Sequence, residues 1–534
     1  MLPTILLLLI VLVLSFLFFR QYYHNYSKST TTVRLPPGPT PWPIVGNLPE
    51  IYFNRPTFRW VTSVVSDTDI GCIKLGSVHV IVVSCPKMAI EFLKTQDGVF
   101  ASRPPTPGTE FISRGYLSLG VAPLGDQWKK MRRFMATQVL GPASVRWLQD
   151  KRLADESDNL VRYIYNRFRN SGGGIVNIRE VGRQYGGNIV RKLLFNERYL
   201  GKGREDGGPG VEEVEYVEAI FDALANLYAF CVSDYTPCLK WLDSKRHAVL
   251  KKAMDTINKY HDPVIDRRLK EYWMSSTSTE SVLIRREPED ILDVFISAKD
   301  KEGRPLLTVD EMKAQVGEFL FAAVDNLSNS VEWAMAEMLN QPDQRILRKA
   351  MEELDRVVGK ERLVQESDIP RLNYVKACIR ESLRLHPVAP FNLPHCATRD
   401  ATVAGYFIPK GSHILLSRTG LGRNPNVWDD PLKFKPERHT ADAAGLVELA
   451  EPDLRLISFT TGRRGCMGTQ LGTATTVMLL ARLLQGFAWS LPLGGVSGID
   501  LSESADDLFL VRPLLAQAKP RLAPRLYGHV HTYG

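Results

Sequence analysis

The 534-residue sequence predicts a mainly α-helical body with a minor β region, preceded by one N-terminal transmembrane helix. Three observations predict this. Met1–Phe19 is an almost unbroken apolar run, MLPTILLLLIVLVLSFLFF, just long enough for the roughly 17–25 residues that a bilayer span requires. From about Trp60 onward, apolar residues recur at helical spacing through most of the chain. Stretches rich in Ile and Val fall early, in Ile70–Ser84, and β-rich pieces return late, in Ala401–Leu416. Hydrophobic residues make up 44% and charged residues 24%, ordinary globular usage that excludes a disordered, collagen-like or coiled-coil chain.

The first element is read as an anchor. A secretory signal would carry a basic stretch before the run and a small-residue cleavage site after it. Here no charged side chain precedes Ile5, and bulky QYYHNYS follows. Arg20, Lys28 and Arg34 lie downstream, which keeps the rest of the chain on the cytosolic side. The segment LPPGPTPWP (Leu35–Pro43) has prolines at 36, 37, 39, 41 and 43 and makes a stiff extended spacer. Residues 1–20 are thus expected to be anchor, 21–45 a linker with a proline-rich hinge, and 46–534 the body. Lys+Arg minus Asp+Glu is 67 − 59 = +8; this suits an anionic membrane surface or an acidic partner and is too diffuse to argue for nucleic acid. Seven cysteines (72, 85, 231, 238, 378, 396, 466) without CxxC spacing argue against a disulfide framework or a Cys-rich zinc site.

Within the body, periodicity predicts helices over Gln127–Leu140, Ser144–Arg169, Glu212–Ala229, Lys245–Met274, Thr308–Asn340 and Pro342–Val358. Polar loops are expected at 201–210 and 274–281, the latter disordered. The helix over Thr308–Asn340 is the sharpest: Thr308 and Glu311 form a capping box, Pro342 follows its end, and at 1.5 Å per residue it is about 50 Å long. Its centre, FAAVDNLSNS, places Asp325, Asn326, Ser328 and Asn329 where a buried helix avoids polar groups unless they face something. An edge exposed to solvent is the alternative.

Near the C-terminus stands SFTTGRRGCMG, residues 458–468. Cys466 is flanked by Gly465 and Gly468, by Arg463 and Arg464, and by an apolar helix over Leu471–Gln485. Glycines permit tight turns and close approach of a flat ligand, and cations and a helix start favour thiolate. Each feature alone fits an inert buried cysteine. The whole string F-x-x-G-x-R-x-C-x-G, in Phe459, Gly462, Arg464, Cys466 and Gly468, resembles the haem-binding signature of the cytochrome P-450 superfamily, whose cysteine thiolate is the axial iron ligand. Glu381-Ser-Leu-Arg384 and Pro436-Glu437-Arg438-His439 are similar to the E-x-x-R and P-E-R strings of that superfamily. The resemblance implies a structural triad of Glu381, Arg384 and Arg438. Trp128-Lys-Lys-Met-Arg132 matches W-x-x-x-R, so Trp128, Arg132 and Arg464 are implied contacts of the haem propionates. His395 stands where the superfamily usually has a further arginine. Motifs so far apart meeting at one haem replace the several domains that length alone suggests with one haem-thiolate catalytic domain.

The superfamily's usual A/G-G-x-D/E-T-T/S is altered here to Ala322-Ala323-Val324-Asp325-Asn326-Leu327. Asn326 replaces the threonine that helps deliver protons; an amide orients water but is a poor proton relay. Together with HPVAPFNLPH (386–395), PERH and SFTTGRRGCMG, this looks like the plant microsomal amino-acid N-monooxygenases. Leu327 stands where that family commonly has proline. The resemblance implies haem b, dioxygen, and NADPH acting through a separate reductase. It implies two successive N-hydroxylations of an L-amino acid, then dehydration and decarboxylation to the (E)-aldoxime, which feeds cyanogenic glucosides, glucosinolates or related defence metabolites. It also implies the endoplasmic reticulum membrane as location, with the catalytic body cytosolic. Asn326 and Asp325 are the implied catalytic positions. Arg114, in ISRGYLSLG, is the candidate for the substrate carboxylate, with a solvated loop arginine as the alternative. Phe391 and Asn392 are candidate substrate contacts. RPPTPGTEFISRGYLSLGVAP and FNLPH resemble the phenylalanine- and tyrosine-using branch; tryptophan, valine and isoleucine are alternatives. A carbon hydroxylase, a reductase-independent isomerase or dehydratase, and a non-enzymatic haem protein are the remaining ones.

Overall fold

The computed structural model describes residues 34–149, 152–170, 174–227, 230–277, 287–440, 446–492 and 498–528, with Val13 and Leu17. Helices dominate. Among the described residues, nine short strands form three small sheets, as the mainly α reading with a minor β region expects. No helix among the described residues is long and apolar enough to cross a membrane. The span expected over Met1–Phe19 lies outside the described residues, apart from Val13 and Leu17.

The early Ile/Val stretch folds as β1 (Ile70–Leu75) and β2 (Val78–Val83), an antiparallel hairpin. The late stretch breaks at Ala404-Gly405, both at positive φ, into β5 (Ala401–Val403) and β6 (Tyr406–Ile408). It then resumes as β7 (His413–Leu416), which pairs parallel with β2 and antiparallel with β4 (His395–Cys396). The alternation of a strand sends successive side chains to opposite faces. Here both faces are buried: Ile81, Val83, Ile414 and Leu416 enter one core, and Val80, Val82 and Leu415 enter another.

The largest core surrounds the central helix, Val309–Leu339. Its capping box is present: the Glu311 amide donates to Thr308 Oγ1 at 3.2 Å, and the Thr308 amide donates to Glu311 Oε2 at 2.8 Å. Against it crosses Ile178–Phe195, a helix that periodicity alone does not predict. The buried polar residues Gln184, Asn188 and Arg191 and three glycines interrupt its apolar repeat. The glycines are what the crossing needs. A Cβ on Gly182 would lie 3.1 Å from that of Ser328, and one on Gly186 would lie 3.2 Å from the Cα of Val324. Leu327 packs at the same crossing, 3.4 Å from that Gly186 position, and the helix runs through it unbroken.

Other elements depart modestly from expectation. Gln127–Leu140 is an α-helix over Asp126–Phe134 continued by a π-helical turn, Met135–Val139. Ser144–Arg169 is two helices, Pro142–Gln149 and Arg152–Asn170. The helix expected to start at Pro342 begins at Arg345, after Gln344 in a left-handed conformation. The helix expected to end at Met274 extends through Thr277 (Ser244–Thr277), so the loop expected at 274–281 is helical in its first part; its remainder lies outside the described residues. A sheet of β3 (Ile175–Asn177), β9 (Leu515–Pro520) and β8 (Phe487–Ser490) was not expected, because β3 has only three residues.

One carboxylate fastens this architecture. Glu381, on the helix Asn373–Leu385, is fully buried. Its Oε2 accepts from Arg384 Nε at 2.8 Å and from His439 Nε2 at 2.8 Å. Its Oε1 accepts from Arg384 Nη2 at 2.8 Å, Arg438 Nε at 2.9 Å and the Lys435 amide at 2.8 Å. Arg384 also donates to the carbonyls of Gly422, Pro431 and Lys433. Burial alone would raise the Glu381 carboxyl, but hydrogen bonds from Arg384 and His439 outweigh it and hold the group at about 2. Glu381→Gln should therefore lower stability by about 3–5 kcal/mol, the usual cost of breaking a buried ion pair, read as a lower thermal midpoint of the holoenzyme. Because the folded value is depressed, the contribution is present above 4.5 and lost as pH falls from 4.5 towards about 2. The variant should lack that acid limb.

Candidate active site

The segment Ser458–Gly468 folds back on itself, with the Cys466 amide donating to the Phe459 carbonyl at 2.9 Å. Gly462 takes φ +74 and passes so near the next layer that a Cβ there would meet the Leu93 carbonyl oxygen at 2.3 Å. Phe459 lies against Gly472 in the following helix, Thr469–Gly486.

The two arginines beside the cysteine serve the loop rather than the sulfur. Arg463 pairs with Asp97 at 2.9 Å. Arg464 donates to the carbonyls of Ala101, Leu119 and Ala122 at 2.7, 3.2 and 2.6 Å. It also covers the ring of Trp128, 4.6 Å from the centroid. Burial pushes its guanidinium down to about 10, still charged at neutral pH. The groups that stabilise a thiolate at Cys466 are instead the Gly468 backbone, the Thr469 hydroxyl, Arg132 and Arg418; burial outweighs them and raises the thiol. Arg132 reaches the loop directly, donating to the Gly465 carbonyl at 2.9 Å.

The central helix braces the same platform. Gln315 Oε1 accepts from the Leu119 amide at 3.1 Å, and Glu318 Oε2 accepts from the Gly120 amide at 2.6 Å. Leu119 in turn supplies a carbonyl to Arg464. Sequence reasoning missed Gln315 and Glu318, because neither stands in a motif. Although this helix is largely buried, Ala322 and Asn326, four apart on one face, are accessible, and so is Cys466. Asn326 Nδ2 donates to the Ala322 carbonyl at 2.8 Å, which leaves its Oδ1 as an acceptor. Asp325 points elsewhere: it is buried, its Oδ1 has no partner, and burial lifts it to about 7 against the nearby Arg183.

His395 is buried on β4, with Nδ1 2.8 Å from the Phe100 carbonyl. Burial, Arg103 and Arg464 push it well below the ordinary histidine range. The imidazole is therefore neutral with Nδ1 as donor, and Nε2 can give a proton to a carboxylate only after protonation.

Beside this platform lies a cavity of about 90 Å³. Phe230, Tyr235 and Phe391 form its aromatic side, with Phe230 and Phe391 edge to face at 6.2 Å. Asn392 also lines it and clips β7, its Oδ1 accepting from the Leu416 amide at 2.7 Å. Arg114 is not among the lining residues. Its guanidinium pairs with Asp262 at 3.0 Å and Asp310 at 3.7 Å and donates to Asn258, so its charge is already matched. The guanidinium in the cavity wall is that of Arg103, which donates to the carbonyls of Gly120, Leu393 and Pro394. It stands beside prolines in ASRPP, where sequence alone gives no cue to its placement.

A family model for cytochrome P450 matches residues 36–519. The chain belongs to the cytochrome P450 family. Tyrosine N-monooxygenase of Sorghum bicolor is 56% identical over 501 residues, covering 93% of this chain and 88% of that protein. Phenylalanine N-monooxygenase of Arabidopsis thaliana is 55% identical over 506 residues, covering 93% of each. Valine N-monooxygenase 1 of Manihot esculenta is 53% identical over 496 residues, covering 92% and 89%. Membership of the P450 family implies a haem with thiolate-ligated iron, dioxygen, and electrons from NADPH through a reductase. The residues present fit such a group. The Cys466 side chain is solvent-accessible, yet its surroundings raise the thiol, so it ionises only with a strong cation at the sulfur, as an iron there would supply. Cys466 would hold the iron. Arg464 spends three of its five N–H donors on carbonyls and keeps two for a propionate. Cys466→Ala should abolish the thiolate-specific band of the reduced carbon-monoxide spectrum of this P450; an intact band would assign the ligand elsewhere.

Proposed function

We propose that this P450 is an amino-acid N-monooxygenase that converts L-phenylalanine or L-tyrosine to the (E)-aldoxime by two N-hydroxylations, dehydration and decarboxylation. The aromatic-walled cavity beside the Cys466 platform carries the reading. Phe230, Tyr235 and Phe391 suit an aryl side chain better than an aliphatic one, since aromatic pairs gain beyond their buried area. The relatives named for tyrosine and phenylalanine and the one named for valine are almost equally similar to this chain, so identity alone does not choose among substrates.

When bound at Cys466, the haem supplies activation of dioxygen with electrons from the reductase. The chain's own residues bind and orient. A carboxylate entering an apolar cavity needs a cation, and Arg103 in the cavity wall takes the role first given to Arg114. Asn326 presents its Oδ1 on the accessible face of the central helix, where it accepts a hydrogen from the substrate amine or a water and fixes its direction. Asp325 lies off that face and acts as a positioning residue within the helix. Trp128, Arg132 and Arg464 would hold the propionates, and His395, neutral as it stands, would join them only once protonated.

We further propose that Met1–Phe19 anchors the protein in the endoplasmic reticulum with its catalytic body, residues 46–534, in the cytosol. The apolar run and the basic residues after it support this. Deleting residues 1–19 should weaken membrane association and leave the carbon-monoxide spectrum intact; equal retention in the membrane pellet would assign binding to other surfaces.

The activity is tested by incubating the holoenzyme with reductase, NADPH and each protein amino acid, with mass-spectrometric detection of aldoximes. Phenylalanine or tyrosine should give the matching aldoxime with loss of the carboxyl carbon, and N-hydroxyphenylalanine or N-hydroxytyrosine should give it after one further oxygenation. Hydroxylation at carbon without aldoxime would overturn the reading.

A further inference from the structure

A second, smaller cavity of about 20 Å³ adjoins the aromatic one. It lies between the helix Pro107–Ile112, the end of the helix Val211–Leu227 and the start of the helix Ser244–Thr277, with half-buried Arg246 and His247 in its wall. Thr106, Thr109, Leu227 and Asp234 line both cavities, so these four residues form the neck between them. The neck thus holds two hydroxyls, one aliphatic side chain and one carboxylate.

The surroundings of that carboxylate are unusual for a half-buried acid. Asp243 lies near it and repels it, while one oxygen of Asp243 is already engaged with the Ser233 amide at 2.7 Å. Tyr116, Tyr235 and Cys231 are close enough to feel its charge. Burial first, and Asp243 second, lift the Asp234 carboxyl to about 7, opposed by a hydrogen bond from the Cys231 backbone. Arg103 stands in the wall of the inner cavity, and Arg246 and His247 in that of the outer.

A free amino acid is a zwitterion, and bringing it into an apolar interior strips water from two charges at once. We propose that Asp234 is an ammonium-recognition site on the passage through which the zwitterionic amino acid reaches the aromatic cavity. This rests on the N-monooxygenase reading and assigns the neck a role in choosing the substrate class. The carboxylate of Asp234 replaces the lost hydration of the ammonium as the molecule passes, and the Arg103 guanidinium receives the substrate carboxylate further in. An approaching ammonium in turn favours the ionised form of Asp234. Acids without an amine gain nothing at the neck.

The test compares binding of L-phenylalanine and of 3-phenylpropionate, which lacks the amine, to wild-type, Asp234→Asn and Asp234→Glu holoenzymes, followed through the haem absorbance change. Asp234→Asn should slow the entry of L-phenylalanine, read as the rate of that absorbance change, on the order of tenfold or more, as expected when a charge that steers an oppositely charged partner is removed. It should leave 3-phenylpropionate unchanged, and Asp234→Glu should recover part of the loss. Equal slowing of both ligands would make Asp234 structural, and an unchanged entry rate for L-phenylalanine would remove it from recognition; either result overturns the proposal. Aldoxime assays on the wild type separate the two levels. Aldoxime formed by the wild type alongside unslowed amino-acid entry into Asp234→Asn overturns this proposal alone, whereas no aldoxime from any amino acid overturns the reading beneath it.

Discussion

The buried Glu381 carboxylate is the constraint on which the rest depends. An uncompensated anion in this interior would cost several kcal/mol, so its oxygens must be met, and five donors meet them: two from Arg384, one each from Arg438 and His439, and the Lys435 amide. Three of these come from the segment that leads towards the cysteine loop. Arg384 then spends its other N–H groups on three carbonyls of the intervening chain. A stretch with little regular structure is thereby held by charge-assisted bonds in place of a backbone ladder.

The loop that presents Cys466 is held by the same logic. Arg464 gathers carbonyls from Ala101, Leu119 and Ala122 and lies on Trp128, while Gln315 and Glu318 fix Leu119 and Gly120 from the central helix. Arginine suits this work because its fork offers five donors in one plane and stays charged even when burial depresses it. The chemistry at the sulfur is thus separated from the cations next to it in sequence, which are occupied with structure.

Much of this was legible in the sequence, for physical reasons that differ from residue to residue. The central helix and its capping box show in periodicity and end signals. The Glu381–Arg384–Arg438 cluster and the convergence of Trp128, Arg132 and Arg464 on the loop are legible through motif spacing and family resemblance, because charge pairs of this kind tolerate little substitution. The helix Ile178–Phe195 is not legible, since its buried Gln184, Asn188 and Arg191 and its crossing glycines erase the apolar repeat. Arg114 misleads because its guanidinium turns to Asp262, away from the cavity wall. Arg103 and Asp234 escape notice for the converse reason: nothing local marks them, and only the tertiary fold sets them on the cavity wall.

The order of these supports along the chain has a consequence for biogenesis. Asp97, Ala101, Leu119, Trp128 and Arg132 are synthesised early, the central helix and Glu381 later, and Cys466 later still, with β9 after it. Translation proceeds from the N-terminus, so the early segments wait without the loop they will hold, and the sulfur appears only when most of the polypeptide exists. Prosthetic-group capture is therefore confined to the close of synthesis or beyond it. A chain that stalls before residue 466 lacks the one atom that gives the fold a chemistry, and with it the core residues that follow.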